Sequence, residues 1–262
     1  MRLLYIDPVG ADSMDPGMYD ALLAAKGIQT EIEMVALPQG RPHHVEYHSY
    51  EAQVIADIVR ITWHEAPAFD AIIIGCFYDV GLREAREVSG RAPVVAPCHS
   101  SSAIAAMLSH RFSVLVGREK WISKMRENLL LYGHGERLAS FRTMGMGVRD
   151  FQVDHELTCE RLLEAGRAAI EEDGAEALIL GCTAEFGFYS HMQQELGVPV
   201  LDPVISALKT AEMMAEAAER FDWLPSRVGA SEGPPVDEVA RRGFFGDSAP
   251  IGTRLAEMAQ PQ

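Results

Sequence analysis

The sequence contains two copies of one pattern, and this repeat limits the possible fold more than any other feature. IIIGCFYDVG (72–81) and LILGCTAEFG (178–187) are both apolar runs that end in Gly-Cys and continue to an acid and a glycine. Moving the first copy forward by 106 positions places Cys76 on Cys182. The repeat predicts that one α/β unit occurs twice in the chain.

The same shift matches residues on both sides of the two stretches. It pairs Asp79 with Glu185 and so keeps an acid at that position. Coincidence explains one or two matches, but not a gap-free series that runs from a strand into the helix after it. The series comprises Gly27 with Gly133, Gly81 with Gly187, Pro93 with Pro199, Val94 with Val200, Pro97 with Pro203, Ser100 with Ser206, and Met107 with Met213.

Short apolar runs alternate with stretches of helical spacing. Strands that alternate with helices of this length predict βαβ units, and fully apolar strands are typical of a parallel sheet covered on both faces. The predicted strands are 2–7, 28–37, 71–76, 92–97, 112–117, 139–144, 177–182 and 198–203. The predicted helices are 18–27, 50–65, 82–88, 101–110, 120–133, 155–174, 188–197 and 205–221.

The predicted fold class is α/β, with two similar doubly wound parallel-sheet lobes. We expect them to be related by pseudo-twofold symmetry, with the active site in the cleft between them. The first lobe is predicted to comprise residues 1–97 and about 205–222, and the second residues 98–204. Residues 223–262 begin with a stretch rich in Gly, Pro and Ser and are predicted to form a loosely ordered C-terminal extension. We expect this extension to lie on the surface or against a neighbouring subunit of a homo-oligomer.

Composition restricts the partners. The formal net charge of −15 argues against nucleic acid and anionic membranes, because like charges repel. No apolar stretch approaches the roughly 20 residues that cross a bilayer, and the opening MRLLYIDPVG is interpreted as a strand rather than a signal peptide. The four cysteines lack the spacing of a disulfide scaffold or a zinc site, which favours a reducing cytoplasm. The chain also lacks a P-loop and a Gly-rich dinucleotide motif, so we expect no ATP or NAD cofactor.

Cys76 and Cys182 are the candidate catalytic residues. Each follows a buried strand, and ligands bind beyond the carboxyl ends of parallel strands. Two thiols on opposite faces of one carbon suit a stereoinversion, in which one thiolate removes a proton and the other thiol returns one. Helices that begin near Gly81 and Gly187 are expected to offer backbone N–H groups to the thiolate and to a developing enolate oxygen.

Other polar residues have simpler interpretations. Cysteine is often buried for packing, and Cys98 and Cys159, which have no counterpart in the repeat, are interpreted in this way. The run Ser100–Ser102 is interpreted as the N-cap of the following helix. A metal site at His44 and His48 is an alternative for the histidine-rich loop, but no third ligand is evident, and no metal is predicted.

At these residues the chain resembles the aspartate/glutamate racemase superfamily, and within it the hydantoin and allantoin racemase branch. The motif of that branch, Ala-Cys-Phe-x-Asp-Pro-Gly-Leu, differs here only at Gly75 and Val80. The resemblance extends over about residues 1–222 and includes GCFYDVGLREAREV, LGCTAEFG, MRLLYIDPVG and HRFSVLVG. It implies cofactor-independent racemisation of a small carbonyl substrate, at a carbon next to the carbonyl, with Cys76 and Cys182 as the two bases.

The resemblance also implies where substrate is bound. Family members often have Asn-Pro-Asn after the first strand, where this chain has Asp-Pro-Val, and their segment Gly-Pro-x-Ser-Ile-Glu corresponds here to RPHHVE (41–46). His44 therefore stands at the serine position, although a solvated loop is the alternative. The substrate-binding candidates are Asp7, Pro8, His44, Glu46, Tyr47, Phe77, Tyr78, Thr183 and Ala184.

Several activities remain open on this scaffold. The first is a racemase of 5-substituted hydantoins or a related ureide. An aspartate/glutamate-type racemase is favoured by Gly-Cys-Thr-Ala-Glu but disfavoured by the absence of Cys-Asn-Thr after Cys76. A malonate-type decarboxylase or a maleate-type cis-trans isomerase can work with one functional cysteine, and a binding protein needs none. The presence of both cysteines favours racemisation.

Overall fold

The computed structural model describes residues 1–257 and contains nine strands and nine α-helices within them. The strands are β1 Arg2–Gly10, β2 Glu31–Leu37, β3 Ala71–Ile74, β4 Val94–Val95, β5 Phe112–Val116, β6 Leu138–Thr143, β7 Ala177–Leu180, β8 Val200–Leu201 and β9 Thr253–Ala256. The helices are α1 Pro16–Ala25, α2 His48–Glu65, α3 Leu82–Val88, α4 Pro97–Leu108, α5 Ile122–Leu131, α6 His155–Glu171, α7 Tyr189–Leu196, α8 Pro203–Phe221 and α9 Val236–Arg242.

The helix boundaries follow from local chemistry. Helix α1 begins at Pro16, which needs no N–H partner in the first turn, and the Asp15 carboxylate accepts the Gly17 N–H at 2.8 Å. Helix α6 also has an aspartate cap, since the Asp154 carboxylate accepts the Leu157 N–H at 3.0 Å. Such caps satisfy N–H groups that have no partner inside the helix.

The chain is divided into two compact units. Unit 1 comprises Met1–Gly75, Val80–Val95 and the chain from Leu208 onward, and unit 2 comprises Cys76–Asp79 and Ala96–Ala207. Helix α8 begins in unit 2 and continues into unit 1. The short segment that carries Cys76 thus belongs to unit 2, although the strand before it belongs to unit 1.

Unit 1 is built on a five-stranded sheet with the order β4-β3-β1-β2-β9. Strands β1 to β4 are parallel, as the alternation of strands and helices predicted, and β9 alone pairs antiparallel, with β2. Strand β3 is buried along its whole length, which explains its uninterrupted apolar sequence.

Unit 2 is built on a four-stranded parallel sheet with the order β6-β5-β7-β8. Strands β5 and β7 are entirely buried. Trp121, Phe112, Phe151 and Phe188 are the largest side chains of the core around them. Together the two sheets confirm the predicted α/β fold with parallel strands.

The two sheets repeat one topology. Reading β5, β6, β7 and β8 in place of β1, β2, β3 and β4 gives the same strand order in both units. Matching main-chain bonds accompany it: Gly75 N–H donates to Ile6 O at 2.8 Å, and Gly181 N–H donates to Leu115 O at 2.7 Å. The strand before each cysteine is therefore hydrogen-bonded in the same way.

The interpretation of the serine run as a helix cap is wrong. Helix α4 begins at Pro97, so Ser100, Ser101 and Ser102 lie inside it and are fully buried. Residue Ala96 at the N-cap position has no capping side chain, and the cap comes instead from Asp79.

The C-terminal segment is more ordered than its composition indicates. Helix α9 and strand β9 were not expected, and β9 lies beside β2 at the edge of the unit 1 sheet. The Arg254 guanidinium on β9 contacts Glu33 at 2.5 Å and Glu65 at 2.7 Å. Residues 258–262 of the predicted extension lie outside the described residues. Within residues 1–257, no helix is long and apolar enough to cross a membrane.

Candidate active site

The first cysteine follows a strand end where no side chain fits. A Cβ atom on Gly75 would lie 2.3 Å from the ring of Tyr5, a buried residue of β1. In this chain the Tyr5 ring occupies the space that the alanine side chain of the family motif would need, which explains the glycine at position 75. Cys76 itself is partly buried and packs against the core of unit 2.

The acid of the first motif caps a helix. Asp79 is buried, has a φ of 51°, and accepts the N–H groups of Cys98 and His99, each at 2.9 Å. The Tyr132 hydroxyl donates to the same carboxylate at 2.8 Å. These bonds fix the segment 76–79 to the N-terminus of α4, where a negative charge is favourable.

The second cysteine lies in a reciprocal hydrogen-bonded turn. Cys182 precedes the one-turn 3-10 helix Thr183–Glu185, and its sulfur accepts the backbone N–H of Glu185. In return, the Cys182 N–H donates to Oε2 of Glu185 at 3.3 Å. A hydrogen bond to the sulfur favours the charged thiolate form. This donor lies earlier in the chain than the helix expected near Gly187, since α7 begins only at Tyr189. Donation from the helices near Gly81 and Gly187 stays a prediction.

The acid in this turn is fully buried. Burial raises the pKa of Glu185 well above its usual range, the N–H groups of Cys182 and Gly181 oppose that rise, and the Asp202 charge adds to it. Asp202 in turn accepts the N–H groups of Gly187 at 3.1 Å and Val204 at 2.9 Å, and so caps α8.

The other two cysteines stand apart from this chemistry. Cys98 is completely buried in α4. Burial raises its thiol pKa well above the usual value, and the charges of Asp79 and Cys76 add to that rise. Cys159 lies in α6, where burial and the charge of Glu195 raise its thiol pKa. A raised thiol pKa disfavours the thiolate, which agrees with their interpretation as packing residues.

A cavity of about 540 Å³ opens at the carboxyl ends of β5 and β6. The carboxyl end of β5, which leads into Gly117, lies beside β7, the strand before Cys182, since Leu115 pairs with Leu180. Sequence reasoning missed this cavity, although its position at the strand ends of the repeat was a usable signal. Its lining residues are Gly117, Arg118, Glu119, Thr143, Gly145, Met146, Gly147 and Asp150.

Asp7 and Pro8 lie in β1 of unit 1, and the Asp7 carboxyl is buried. Burial, with a smaller contribution from the Asp15 charge, raises the pKa of Asp7 to about 7. The pairing of Ile6 with Ile74 places Asp7 level with Gly75, the residue before Cys76. Burial thus keeps the Asp7 carboxyl protonated to a higher pH than an exposed aspartate.

The histidine-rich loop precedes α2 in unit 1. The His44 ring lies 5.9 Å from the Tyr47 ring and 5.4 Å from that of Tyr50, and its Nδ1 is 3.8 Å from Oε1 of the buried Glu46. His48 is the first residue of α2, so it does not share a helix with His44, and the alternative of a metal pair at helical spacing loses its geometric basis. Among residues 1–257 no group of three His, Cys, Asp or Glu side chains is placed to hold a metal ion.

The residues beside the cysteines differ in exposure. Phe77 and Tyr78 are buried in the core of unit 2, and the Tyr78 carbonyl accepts the Asn128 side-chain amide at 2.8 Å. Thr183 is largely buried, and Ala184 is partly exposed beside that core. The structure thus brings Cys76, Cys182 and their neighbours to one core, while the other substrate-binding candidates belong to unit 1.

Comparison with known proteins identifies the family. The family described as Asp/Glu/Hydantoin racemase matches residues 3–211. A hydantoin racemase from Pseudomonas sp. (strain NS671) is 36% identical over 225 residues, which cover 86% of this chain and 90% of that protein.

Solved structures agree with this match. An allantoin racemase from Klebsiella pneumoniae superimposes with a TM-score of 0.80 at 27% identity, over 90% of this chain and 94% of that chain. An arylmalonate decarboxylase shares the fold at 16% identity, with a TM-score of 0.53 over 81% of this chain and 92% of that one. The chain belongs to the Asp/Glu/Hydantoin racemase family and is an isomerase of the racemase type.

Proposed function

We propose that the protein is a cofactor-independent two-base racemase that acts on 5-substituted hydantoins or a related cyclic ureide. Cys76 and Cys182 are the acid and the base. The observation that carries the proposal is the repeated strand end, where the N–H groups of Gly75 and Gly181 make matching bonds and each precedes a cysteine. Similarity to a hydantoin racemase and to an allantoin racemase supports the substrate class.

The reaction requires only a proton exchange. One thiolate takes the proton from C5 of the ring, and the electron pair of that C–H bond moves into the adjacent carbonyl group to form an enolate. The second thiol then gives its proton to the opposite face of C5, and the C–H bond forms again with inverted configuration. The two sulfurs have exchanged protonation states, so this form of the enzyme acts on the opposite enantiomer, and proton exchange of the thiols with solvent restores the first form. This scheme requires the sulfurs to face opposite sides of the reacting carbon.

The turn around Cys182 suits this role. Donation from the Glu185 N–H to the sulfur stabilises a thiolate. A cyclic ureide has a C–H already acidified by its ring carbonyl, so a thiolate and a few N–H donors suffice.

The cavity at the carboxyl ends of β5 and β6, in the same unit as Cys182, is the proposed location of part of the substrate. Arg118 and Thr143 supply donors for ureide carbonyl oxygens, and Glu119 and Asp150 supply acceptors for ring or side-chain N–H groups. Asp7, Pro8, His44, Glu46, Tyr47, Phe77, Tyr78, Thr183 and Ala184 remain proposed contributors to substrate binding.

The test is a substrate panel in deuterated water. Optically pure 5-substituted hydantoins and allantoin are expected to lose optical rotation and to gain one deuterium at C5. Cys76→Ser and Cys182→Ser are each expected to reduce racemisation at least a thousandfold, with Cys159→Ser as the matched control that retains activity. Rotation and deuterium content would remain unchanged if the proposal were wrong. Gas release from a substituted malonate would then indicate a decarboxylase, and racemisation of aspartate or glutamate an amino-acid racemase.

A further inference from the structure

Glu185 contacts Cys182 through both its backbone and its side chain. Its backbone N–H donates to the Cys182 sulfur, and its carboxylate oxygen Oε2 accepts the Cys182 N–H. The side chain and the backbone of Glu185 therefore both hold the residue that carries the sulfur.

The turn that contains both residues is held from outside as well. The side-chain amide of Gln152 donates to the carbonyl oxygens of Ala184 at 2.9 Å and Phe186 at 3.3 Å. Asp202 accepts the Gly187 N–H at the other end of the turn. With the backbone fixed in this way, the side chain of Glu185 has little freedom to move away from Cys182.

The second carboxyl oxygen of Glu185 lacks, among the described residues, a hydrogen-bond donor that would stabilise a negative charge. Oε1 of Glu185 is buried and has no hydrogen-bond partner among residues 1–257. The charged side chain whose field acts on Glu185 is Asp202, which is also an acid. An ionised group in such surroundings is costly unless it is paired, whereas a protonated carboxyl group places its proton on the free oxygen.

A charge at this position would also oppose catalysis. A carboxylate beside Cys182 would repel a thiolate and raise the energy of the reactive form. We propose that Glu185 is a positioning residue that remains uncharged beside Cys182, so that the sulfur and not the carboxyl group carries the negative charge. This inference rests on the proposed function only in assigning a thiolate to Cys182.

The experiment measures alkylation of Cys182 by iodoacetamide as a function of pH, in the full-length protein, with the Cys182 peptide quantified by mass spectrometry. Glu185→Gln keeps the shape and the neutral charge, so its rates are expected to stay within about twofold of wild type at every pH. Glu185→Ala removes the acceptor of the Cys182 N–H, and its alkylation rate at pH 7 is expected to fall about tenfold. Glu164→Gln, an exposed change on α6, is the matched control, and alkylation of Cys159 in the same samples reports whether each variant is folded.

Two results would overturn the inference. If Glu185→Gln accelerates alkylation at pH 7 about tenfold, the wild-type carboxyl group is ionised and repels the thiolate. If Glu185→Ala is folded and matches wild type, the side chain does not position the sulfur. Infrared spectroscopy gives a second measurement: the carbonyl absorption of protonated carboxyl groups at pH 7 is expected to be stronger in wild type than in Glu185→Gln, and the contribution of Asp7 cancels in the difference spectrum. Alkylation does not depend on turnover, so failure of this inference is distinguishable from failure of the proposed racemisation.

Discussion

The strand ends before the two cysteines make matching main-chain bonds, but the acids that follow the cysteines are used differently. Asp79 reaches forward and caps α4 through the N–H groups of Cys98 and His99. Glu185, at the matching position of the repeat, turns back onto the N–H of Cys182, and the cap of α8 comes from Asp202. The two copies of the repeat are therefore alike at the strand ends, whereas the acids after the two cysteines bind different groups.

The largest expected effect on stability concerns the two acids. Asp79→Ala removes the acceptor of three hydrogen bonds inside unit 2, so we expect the free energy of unfolding to fall by about 4 kcal/mol. Glu185→Ala removes one longer bond and a buried acid, and a smaller loss is expected. Urea denaturation of both variants checks this comparison, and an equal loss would show that the acids have equivalent roles.

A second difference lies at the strand ends. Asp7 of β1 occupies the position that Val116 occupies in β5, next to the residue that accepts the glycine N–H, and only the acid can titrate. Its folded pKa of about 7 lies above the unfolded value of 3.8, so the folded state binds more protons and its advantage is lost as the pH rises from about 4 to 7.

Between pH 5 and pH 8, wild type should therefore lose about 3 kcal/mol of unfolding free energy relative to Asp7→Asn. Denaturation curves at the two pH values measure this difference. The exposed change Asp20→Asn serves as the control and should leave the difference between the two pH values unaltered. An Asp7→Asn variant with the same pH dependence as wild type would show that the carboxyl group is ionised throughout.

The glycines before the two cysteines provide a third comparison. An added Cβ would lie 2.3 Å from the Tyr5 ring at Gly75 and 2.4 Å from the Leu115 carbonyl oxygen at Gly181. Gly75→Ala is expected to cost about 2 kcal/mol because the ring must shift, and Gly181→Ala at least as much because a backbone atom is in the way. Thermal unfolding of the two variants tests the order, and a stable Gly181→Ala variant would contradict it.

The smallest expected effect concerns the strand that only unit 1 has gained. Arg254 on β9 pairs with Glu33 and Glu65, and these side chains are largely shielded from solvent. Arg254→Gln should lower the free energy of unfolding by about 1 kcal/mol, whereas Arg220→Gln, which breaks an exposed pair with Glu216, should have little effect. Equal effects in a denaturant titration would mean that β9 contributes nothing beyond an exposed ion pair.

The sequence was sufficient for features set by local pattern. Apolar runs such as AIII and ALIL predicted β3 and β7, and the repeat predicted two similar parallel sheets. Strand β9 could not be predicted, because its pairing with β2 depends on residues about 220 positions apart, as in the Arg254 contact with Glu33. The cap from Asp79 was missed for the same reason, since it crosses from one motif to the next helix.

The candidate site shows the same limit. Cys76 and Cys182 were evident from their matched positions, but the cavity lined by Arg118 and Thr143 requires knowledge of which strand ends are neighbours. The turn that joins Glu185 to Cys182 was partly visible, since an acid three residues after an N-cap is a known capping pattern. Its effect on the sulfur follows only from the hydrogen bonds.

The most direct test of the central claim is solvent exchange by single-cysteine variants. Each enantiomer of a racemised hydantoin is incubated in deuterated water with Cys76→Ser or Cys182→Ser, and deuterium at C5 is measured by NMR spectroscopy. If the two thiols serve opposite faces of one carbon, each variant exchanges one enantiomer only, and the two variants prefer opposite enantiomers. Equal exchange of both enantiomers by either variant would contradict the two-base account.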